Sequence, residues 1–442
     1  MADKLAERIS EMEQRHLLGD HNYRKYETYY NSRFRPEALG LAVPPELEHL
    51  KVVLGWPRLI VEALAERLNI IGFRTAPNDP TNNDLERIWR VNNMREWSGV
   101  AHKEAFVHGR CFIVVGPNAQ DPRNPIITVE SCKYMTVDLD PRTGQITAAL
   151  RLYGTSPENR VPMYAALYLP DATHYYKRDG GRWVRDGQPF KHDLGRVPVF
   201  QLTNRMSIEH REGVSEIEDV IDLVDMACRT LTNLGAAVET LSYPQNWVLG
   251  ATEDDFLDED GEYVGPQVDA RMGRLQLLMN DQAKVQQLSA ADLNQFVSVI
   301  NMLAKSLAAV TGLPVHYLGV TSEANPSSAD AIRSSEARHV KRAEDRINAF
   351  TNVWAQVLET AARFAGLPVE TVEVQWADPS TPTVAQQADA VVKLYTAKLI
   401  PLDFARRRLG YTPAEIEQMN QMEGNDPLSR LLAQFPEAEA TE

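Results

Sequence analysis

The sequence predicts an α+β protein, and three observations carry that expectation. Apolar residues recur at helical spacing over roughly the first ninety residues, in alternating patterns and short strand-like runs between Arg110 and Arg205, and at helical spacing again from Gly213 onward. With 442 residues, 43% of them hydrophobic, the chain can bury a sizeable core and has length for about two to four structural units.

In residues 2–17, Leu5, Ile9 and Met12 share one helical face. The next stretch holds Tyr23, Tyr26, Tyr29 and Tyr30, whose rings supply apolar area with a polar tip and read as packing residues. Helices are predicted over 57–68, with Pro57 in the first turn where its missing N–H does no harm, and over 83–91, built on Leu85, Ile88 and Trp89. Strand-like runs follow at 111–115, 126–130, 134–139, 146–153 and 163–169, each bounded by Pro, Gly, Asn or Asp. Asp179-Gly180-Gly181 and Asp186-Gly187 read as tight turns around Trp183, and 197–202 as a last strand. This region reads as a mixed, mainly antiparallel β unit.

From Gly213 the stripe Ile217, Val220, Ile221, Val224, Leu231, Leu234, Val238 and Leu241 predicts one helix, ended by Pro244. Residues 246–287 form a small excursion: a short strand at 247–249, an acidic loop and a second strand at 275–279. The return helix starts at the N-cap candidate Ser289, continues through Phe296, Ile300, Leu303 and Leu307, and stops at Gly312-Leu313-Pro314. After a loop at 315–327, the longest periodic element covers 328–365 before Gly366 and Pro368 end it. At 1.5 Å per residue it spans ~57 Å, about three times the usual helix. A strand over 369–376, a Pro and Thr linker at 379–383, two or three short helices over 384–422 and a frayed acidic tail at 437–442 complete the chain.

Lys plus Arg total 46 against 61 for Asp plus Glu, a formal charge of -15. That balance argues against gripping phosphate backbones, so a nucleic acid partner is held loosely or locally. Cys111, Cys132 and Cys228 are odd in number and far apart, and read as buried thiols of a reducing compartment. The charged N-terminus and the lack of any run near 18 apolar residues predict a chain that is soluble and cytoplasmic at synthesis, without a membrane partner. No GxxxxGK[ST], HExxH or GxSxG pattern occurs, so neither a catalytic residue nor a cofactor is assigned.

His102 and His108 could meet a metal only through folding, and ordinary packed histidines are the plainer reading, so no metal site is assigned. Glu253, Asp254, Asp255, Asp258, Glu259, Asp260 and Glu262 form the densest charge cluster. An EF-hand centred on Gly261 would begin at Phe256 and end at Gln267, neither of which offers a carboxylate. The cluster reads as a solvated loop or as an acidic contact for a basic partner. Use of its carboxylates with a divalent metal, in a hydrolase or nuclease, remains the alternative function, and a monomeric adaptor or scaffold protein a third. Arg333, Arg338, Lys341, Arg342 and Arg346 alternate with Asp330, Glu336, Glu344 and Asp345, which predicts salt bridges within or between helices rather than a nucleic-acid footprint.

Four stretches carry a family resemblance: His192-Asp193-Leu194-Gly195-Arg196-Val197-Pro198-Val199, Gly213-Val214-Ser215-Glu216-Ile217-Glu218, Thr311-Gly312-Leu313-Pro314 through Tyr317-Leu318-Gly319, and Asn325-Pro326-Ser327-Ser328-Ala329-Asp330-Ala331. In this order, with helix, excursion, helix, loop and very long helix behind a β region, the chain resembles the portal proteins of tailed bacteriophages, the head-to-tail connectors. The likeness is greatest to siphovirus-type portals of actinobacterial phages. The resemblance implies a portal fold: a mixed α/β wing (1–212), stem helices (213–242 and 289–311), a small α/β clip (243–288), a tunnel loop (312–327), a long wing helix with its strand (328–382) and a short helical crown (383–442). It implies a non-enzymatic subunit of a twelve-membered ring at one capsid vertex, assembled in the host cytoplasm. Double-stranded DNA would pass through the ring, touched weakly by Val320, Thr321, Ser322, Glu323, Ala324 and Asn325 of the tunnel loop. The acidic cluster would lie in the clip and meet terminase and then a head-completion adaptor; the major capsid and scaffolding proteins are the remaining partners.

Overall fold

Each change of hydrophobic period in the sequence marks a change of element in the computed structural model. The structure describes residues 2–18, 22–34, 51–75, 82–156, 161–241, 246–249, 275–278, 293–319, 329–369, 371–380, 384–411 and 413–424. It divides into two units, Met1–Pro379 and Ser380–Glu442.

The first unit begins with helices α1 (Ala2–Leu18), α2 (Tyr23–Tyr30) and α3 (Trp56–Ala65), strand β1 (Ile70–Arg74), and helices α4 (Asn83–Val91) and α5 (Met94–His108). Pro57 sits in the first turn of α3, and the Asn82 side chain caps α4 by accepting from the Asp84 and Leu85 amides. Helix α3 stops at Ala65, three residues before the predicted end. Helix α5 has no counterpart in the sequence reading. Its Met94, Ala101 and Phe106 are buried, but so are Ser98, His102 and His108, so it carries no one-sided apolar stripe.

Strands β2 (Arg110–Gly116), β3 (Ile126–Ser131), β4 (Met135–Leu139), β5 (Ile146–Thr155), β6 (Pro162–Tyr168), β7 (Ala172–Asp179), β8 (Arg182–Arg185), β9 (Phe190–Lys191) and β10 (Val199–Thr203) form two sheets. One has the order β10-β2-β3; the other runs β4-β5-β6-β7-β8, with β9 beside β7. Every pairing in this region is antiparallel, which corrects the expectation of a mixed unit. Among the described residues no helix lies between β2 and β10, and parallel pairing would need such a crossover. Strand β2 reads as a continuous apolar run because both its faces are covered. Cys111, Ile113 and Val115 join the helical core, while Phe112 and Val114 join Met135, Ala149 and Ala166 of the larger sheet. Helix α1 lies on that larger sheet through Ile9 and Met12, and the Trp183 indole N–H donates to Glu13 at 3.0 Å.

A 3-10 turn (Glu218–Val220) leads into α6 (Ile221–Leu241), so Ile217 and Val220 of the predicted stripe belong to the lead-in rather than to the helix. Strands β11 (Asn246–Leu249) and β12 (Leu275–Leu278) pair in parallel, at the two positions where strands were expected. Helix α7 (Asn294–Thr311) returns to a left-handed Gly312 and a second 3-10 turn (Val315–Leu318); the N-cap candidate Ser289 lies outside the described residues. Helix α8 (Ala329–Phe364) is 36 residues long and is followed by β13 (Glu373–Trp376), which pairs with β1. Phe350, Trp354, Val357, Leu358 and Ala361 of α8 form the centre of the core with Trp89, Ala105 and Phe106, and the Trp89 and Trp354 rings meet edge-on at 5.2 Å.

The second unit holds α9 (Val384–Thr396), α10 (Leu402–Arg408) and α11 (Pro413–Gly424), with Val391, Ala405 and Ile416 buried. Among the described residues, no helix is long and apolar enough to cross a membrane.

Candidate functional site at the junction of α6, α7 and α8

The stretch Gly213 to Glu218 begins with a backbone crossing. Gly109, which ends α5, and Gly213 both have positive φ, +87° and +83°. A Cβ on Gly213 would run into the Gly109 carbonyl oxygen and lie 2.7 Å from that of Asn204. Asn204 clamps the crossing: its amide donates to the Gly109 carbonyl (2.8 Å), its Nδ2 donates to the Val214 carbonyl (2.7 Å), and its own carbonyl accepts from the Val214 amide (3.0 Å). Ser215 Oγ then donates to the Val107 carbonyl at 2.6 Å, and the Glu216 amide to the Phe106 carbonyl at 2.9 Å. These bonds satisfy carbonyls that the end of α5 leaves open.

That geometry delivers the Glu216 side chain to the interior, where the residue is 3% exposed. Arg346 Nη2 donates to Oε1 at 2.8 Å, and Arg342 Nη2 donates to Oε2. Burial pushes the Glu216 carboxyl upward, but the two guanidinium groups outweigh it and hold the group below the usual carboxylate range. Arg342 Nη1 also donates to the Thr311 carbonyl and, at 3.3 Å, to that of Val310, placing a cation at the negative end of α7. One arginine of α8 therefore ties together the lead-in of α6 and the last turn of α7. Gly312 fits under the stems of Arg338 and Arg342: a Cβ there would lie 3.1 Å from Arg342 Cδ and 3.3 Å from Arg338 Cγ.

A second joint holds the segment after Gly312. The Tyr317 hydroxyl donates to Glu336 Oε1 at 2.8 Å, Arg67 Nη2 lies 3.2 Å from Glu336 Oε2, and Arg67 Nη1 donates to the Pro379 carbonyl at 2.7 Å. Arg67 and Glu336 are both buried. Nearby on α8, His339 Nε2–H donates to the Ala63 carbonyl at 3.1 Å. The stretch His192 to Val199 makes a third joint: Arg196 Nη2 donates to Gln356 of α8 at 2.7 Å, and the His192 ring meets Phe364 edge-on.

The salt bridges predicted for the charged face of α8 are present in both forms. Lys341 pairs with Glu344 (3.0 Å) and Asp345 within the helix, whereas Glu336, Arg342 and Arg346 bridge to other elements. Glu216 and Arg67 were not singled out as their partners, although Glu216 stood inside a stretch already noted. The acidic residues Glu253, Asp254, Asp255, Asp258, Glu259, Asp260 and Glu262, and the loop residues Val320, Thr321, Ser322, Glu323, Ala324 and Asn325, lie outside the described residues. His102 and His108 take the plainer reading. The Trp354 indole N–H donates to His102 Nε2 at 3.0 Å, and burial lowers the His102 pKa to about 3, while His108 lies 3.6 Å from Glu104. Among the described residues no group of side chains is arranged to hold a metal. Cys111, Cys132 and Cys228 are free thiols and buried.

Joints of this kind fix the angles between rods. Together with the helical hairpin, the inserted strand pair and the long helix, they define a structural subunit of the portal class. The chain belongs to the family "Phage portal protein, SPP1 Gp6-like", whose model matches residues 10–426. It is 35% identical to the portal protein of Mycobacterium phage D29 over 414 residues, covering 90% of this chain and 84% of that protein. Its identity to the portal protein of Mycobacterium phage L5 is also 35%, over 408 residues, covering 89% and 83%. A solved structure described as the neck of an empty gene transfer agent particle, computed with C6 symmetry, aligns with a TM-score of 0.51 at 16% identity, covering 89% of this chain and 95% of that one; the likeness is one of fold. The chain is thus a structural, non-enzymatic component of the virion, forming the portal ring at a capsid vertex.

Proposed function

We propose that the ring has twelve subunits, with α6 and α7 as its stem, residues 243–288 as the clip, 312–327 as the tunnel loop and 383–442 as a crown, and that double-stranded DNA is packaged and ejected through it. Residues 1–212, with α8 and β13, are the wing. The Glu216 joint is the observation that carries this reading: it anchors both feet of the α6–α7 hairpin on one long rod, as a pore-lining hairpin requires. A cyclic ring needs two different faces per subunit, and a projecting hairpin with an inserted clip supplies them. Duplex DNA carries one charge per about 1.7 Å, so a channel rich in unpaired Lys and Arg would hold it at many phosphates. The chain's charge of -15 and a tunnel loop without a cation avoid that brake.

Terminase docks on the acidic clip during packaging and a head-completion adaptor replaces it, while the major capsid and scaffolding proteins surround the wing during assembly in the host cytoplasm. A reconstruction of the oligomer with symmetry left free tests the architecture: about a dozen subunits with α6 and α7 around an open passage are expected. Hairpins folded on a private core, with no passage, overturn it. Neutralising Asp254, Asp255, Asp258 and Asp260 together is expected to weaken terminase or adaptor docking and leave rings intact; unchanged packaging and tail joining refute the clip assignment.

A further inference from the structure

An open groove of about 1110 Å³ runs beside β10. Among the described residues its lining holds three arginines, Arg142, Arg196 and Arg211, and no carboxylate, in a chain whose net charge is -15. Strand β10 ends its sheet, with β2 on one side and no described strand on the other. The Pro198 carbonyl accepts from the Val115 amide and the Asn204 amide donates to the Gly109 carbonyl, so the even-numbered positions face β2. By antiparallel alternation, the backbone N–H and C=O groups of Val199, Gln201 and Thr203 point away from β2, toward the free edge.

The lining residues show that the groove follows that edge. The Val199 and Phe200 side chains are buried in the cores on the two faces of the sheet, while Gln201 and Thr203 are half-buried, so the groove meets β10 along its side. One wall is α8, through Val353 and Gln356; the other is the turn between β4 and β5. At the rim stand Met206 and Ile208, which are 69% and 90% exposed.

We propose that this groove docks an extended acidic peptide segment of another protein, which adds to the sheet as a strand beside β10. The backbone edge supplies main-chain hydrogen bonds, the arginines select carboxylates, and the exposed Met206 and Ile208 receive apolar side chains. The five residues of β10 span ~17 Å, which fits a peptide of about five to seven residues. A DNA duplex would satisfy the arginines but would leave the apolar rim of Met206 and Ile208 and the backbone edge unused.

The test is fluorescence anisotropy of full-length protein with a labelled Glu-Val-Glu-Ile-Glu-Val-Glu peptide. Micromolar binding is expected, weakened at least tenfold by Arg142→Glu with Arg211→Glu, two exposed positions outside the ionic joints described above. The same peptide N-methylated at alternate residues keeps its charge but cannot pair with a strand, and it too should lose at least tenfold. Equal binding of the N-methylated peptide, or binding unchanged in the double variant, overturns the proposal. So does preferential displacement by a DNA duplex. Loss of rings in the double variant, with circular dichroism unchanged, also overturns it and assigns the groove to a neighbouring copy. Wild-type protein that forms no ring would count against the portal architecture alone, because the peptide assay does not depend on assembly.

Discussion

Replacing Glu216 by glutamine keeps the side chain's shape and removes the charge that two guanidinium groups share. Arg346 is held at 2.8 Å by one carboxylate oxygen and Arg342 by the other, while the carboxyl is almost fully buried and the arginine side chains are only 15% and 22% exposed. Removing one member of a buried ion pair costs about 3–5 kcal/mol, because the partner charge stays desolvated. Arg342 keeps the Thr311 and Val310 carbonyls, and a glutamine oxygen still accepts one bond, so the expected loss lies near the lower end, about 3 kcal/mol. Urea unfolding followed by tryptophan fluorescence measures it. Adding Arg346→Met should recover part of the loss, with a coupling energy above about 1 kcal/mol in the double-mutant cycle. Acid has a defined sign here. A carboxyl held below its unfolded pKa contributes stability that is complete above the unfolded value and is lost as pH falls through the folded one. The gap between wild type and Glu216→Gln should therefore narrow in acid. A loss under about 1 kcal/mol, additive effects, or a gap that widens on acidification would refute the reasoning.

Gly213→Ala meets both a positive φ and the Gly109 carbonyl, so a loss of about 3 kcal/mol or more is expected by urea unfolding, whereas Gly116→Ala, with no atom within 4 Å of the added carbon, should lose at most about 1 kcal/mol. Trp354→Phe removes the N–H that His102 Nε2 accepts and leaves a buried nitrogen unpaired, which should cost about 1–3 kcal/mol in addition to the lost packing. His102 is held neutral down to about pH 3 while the unfolded chain takes up its proton near 6.5. Its contribution is therefore constant above that pH and falls by up to about 1.4 kcal/mol per pH unit below it. A melting series in pH should be flatter for His102→Gln over that window; parallel curves would disprove the role.

Helix α4 and the long α8 could be read from the chain because each has one dry face and one wet face. Helix α5 could not, because its buried face carries the polar Ser98, His102 and His108 beside Met94 and Phe106 while the apolar Trp97 and Val100 are exposed, so residue type does not follow burial. Strand β7 escaped for the opposite reason: Lys177, Arg178 and Asp179 make its second half polar. The ionic joints were half legible. Spacing alone placed Arg342 and Arg346 one helical turn apart on α8, but Glu216 is 126 and 130 residues away, and no local rule links such positions.

Three of the four stretches that carried the family resemblance end on α8. Tyr317 reaches Glu336, Gly312 and Glu216 reach Arg338, Arg342 and Arg346, and the stretch His192 to Val199 reaches Gln356 and Phe364. From Glu336 to Phe364 these attachments cover ~42 Å of helix, most of its length. An isolated helix gains little stability from length alone and is fixed mainly by what packs on it, so α8 is long because the attachments are spread apart. A channel surface need only avoid holding phosphate, a condition many small or polar residues meet equally well. A buried carboxylate shared by two arginines tolerates few alternatives, because a missing partner strands a charge. Most of the residues that make the chain recognisable therefore set the angles between its rods, whereas the loop proposed to face DNA is under no comparable physical constraint.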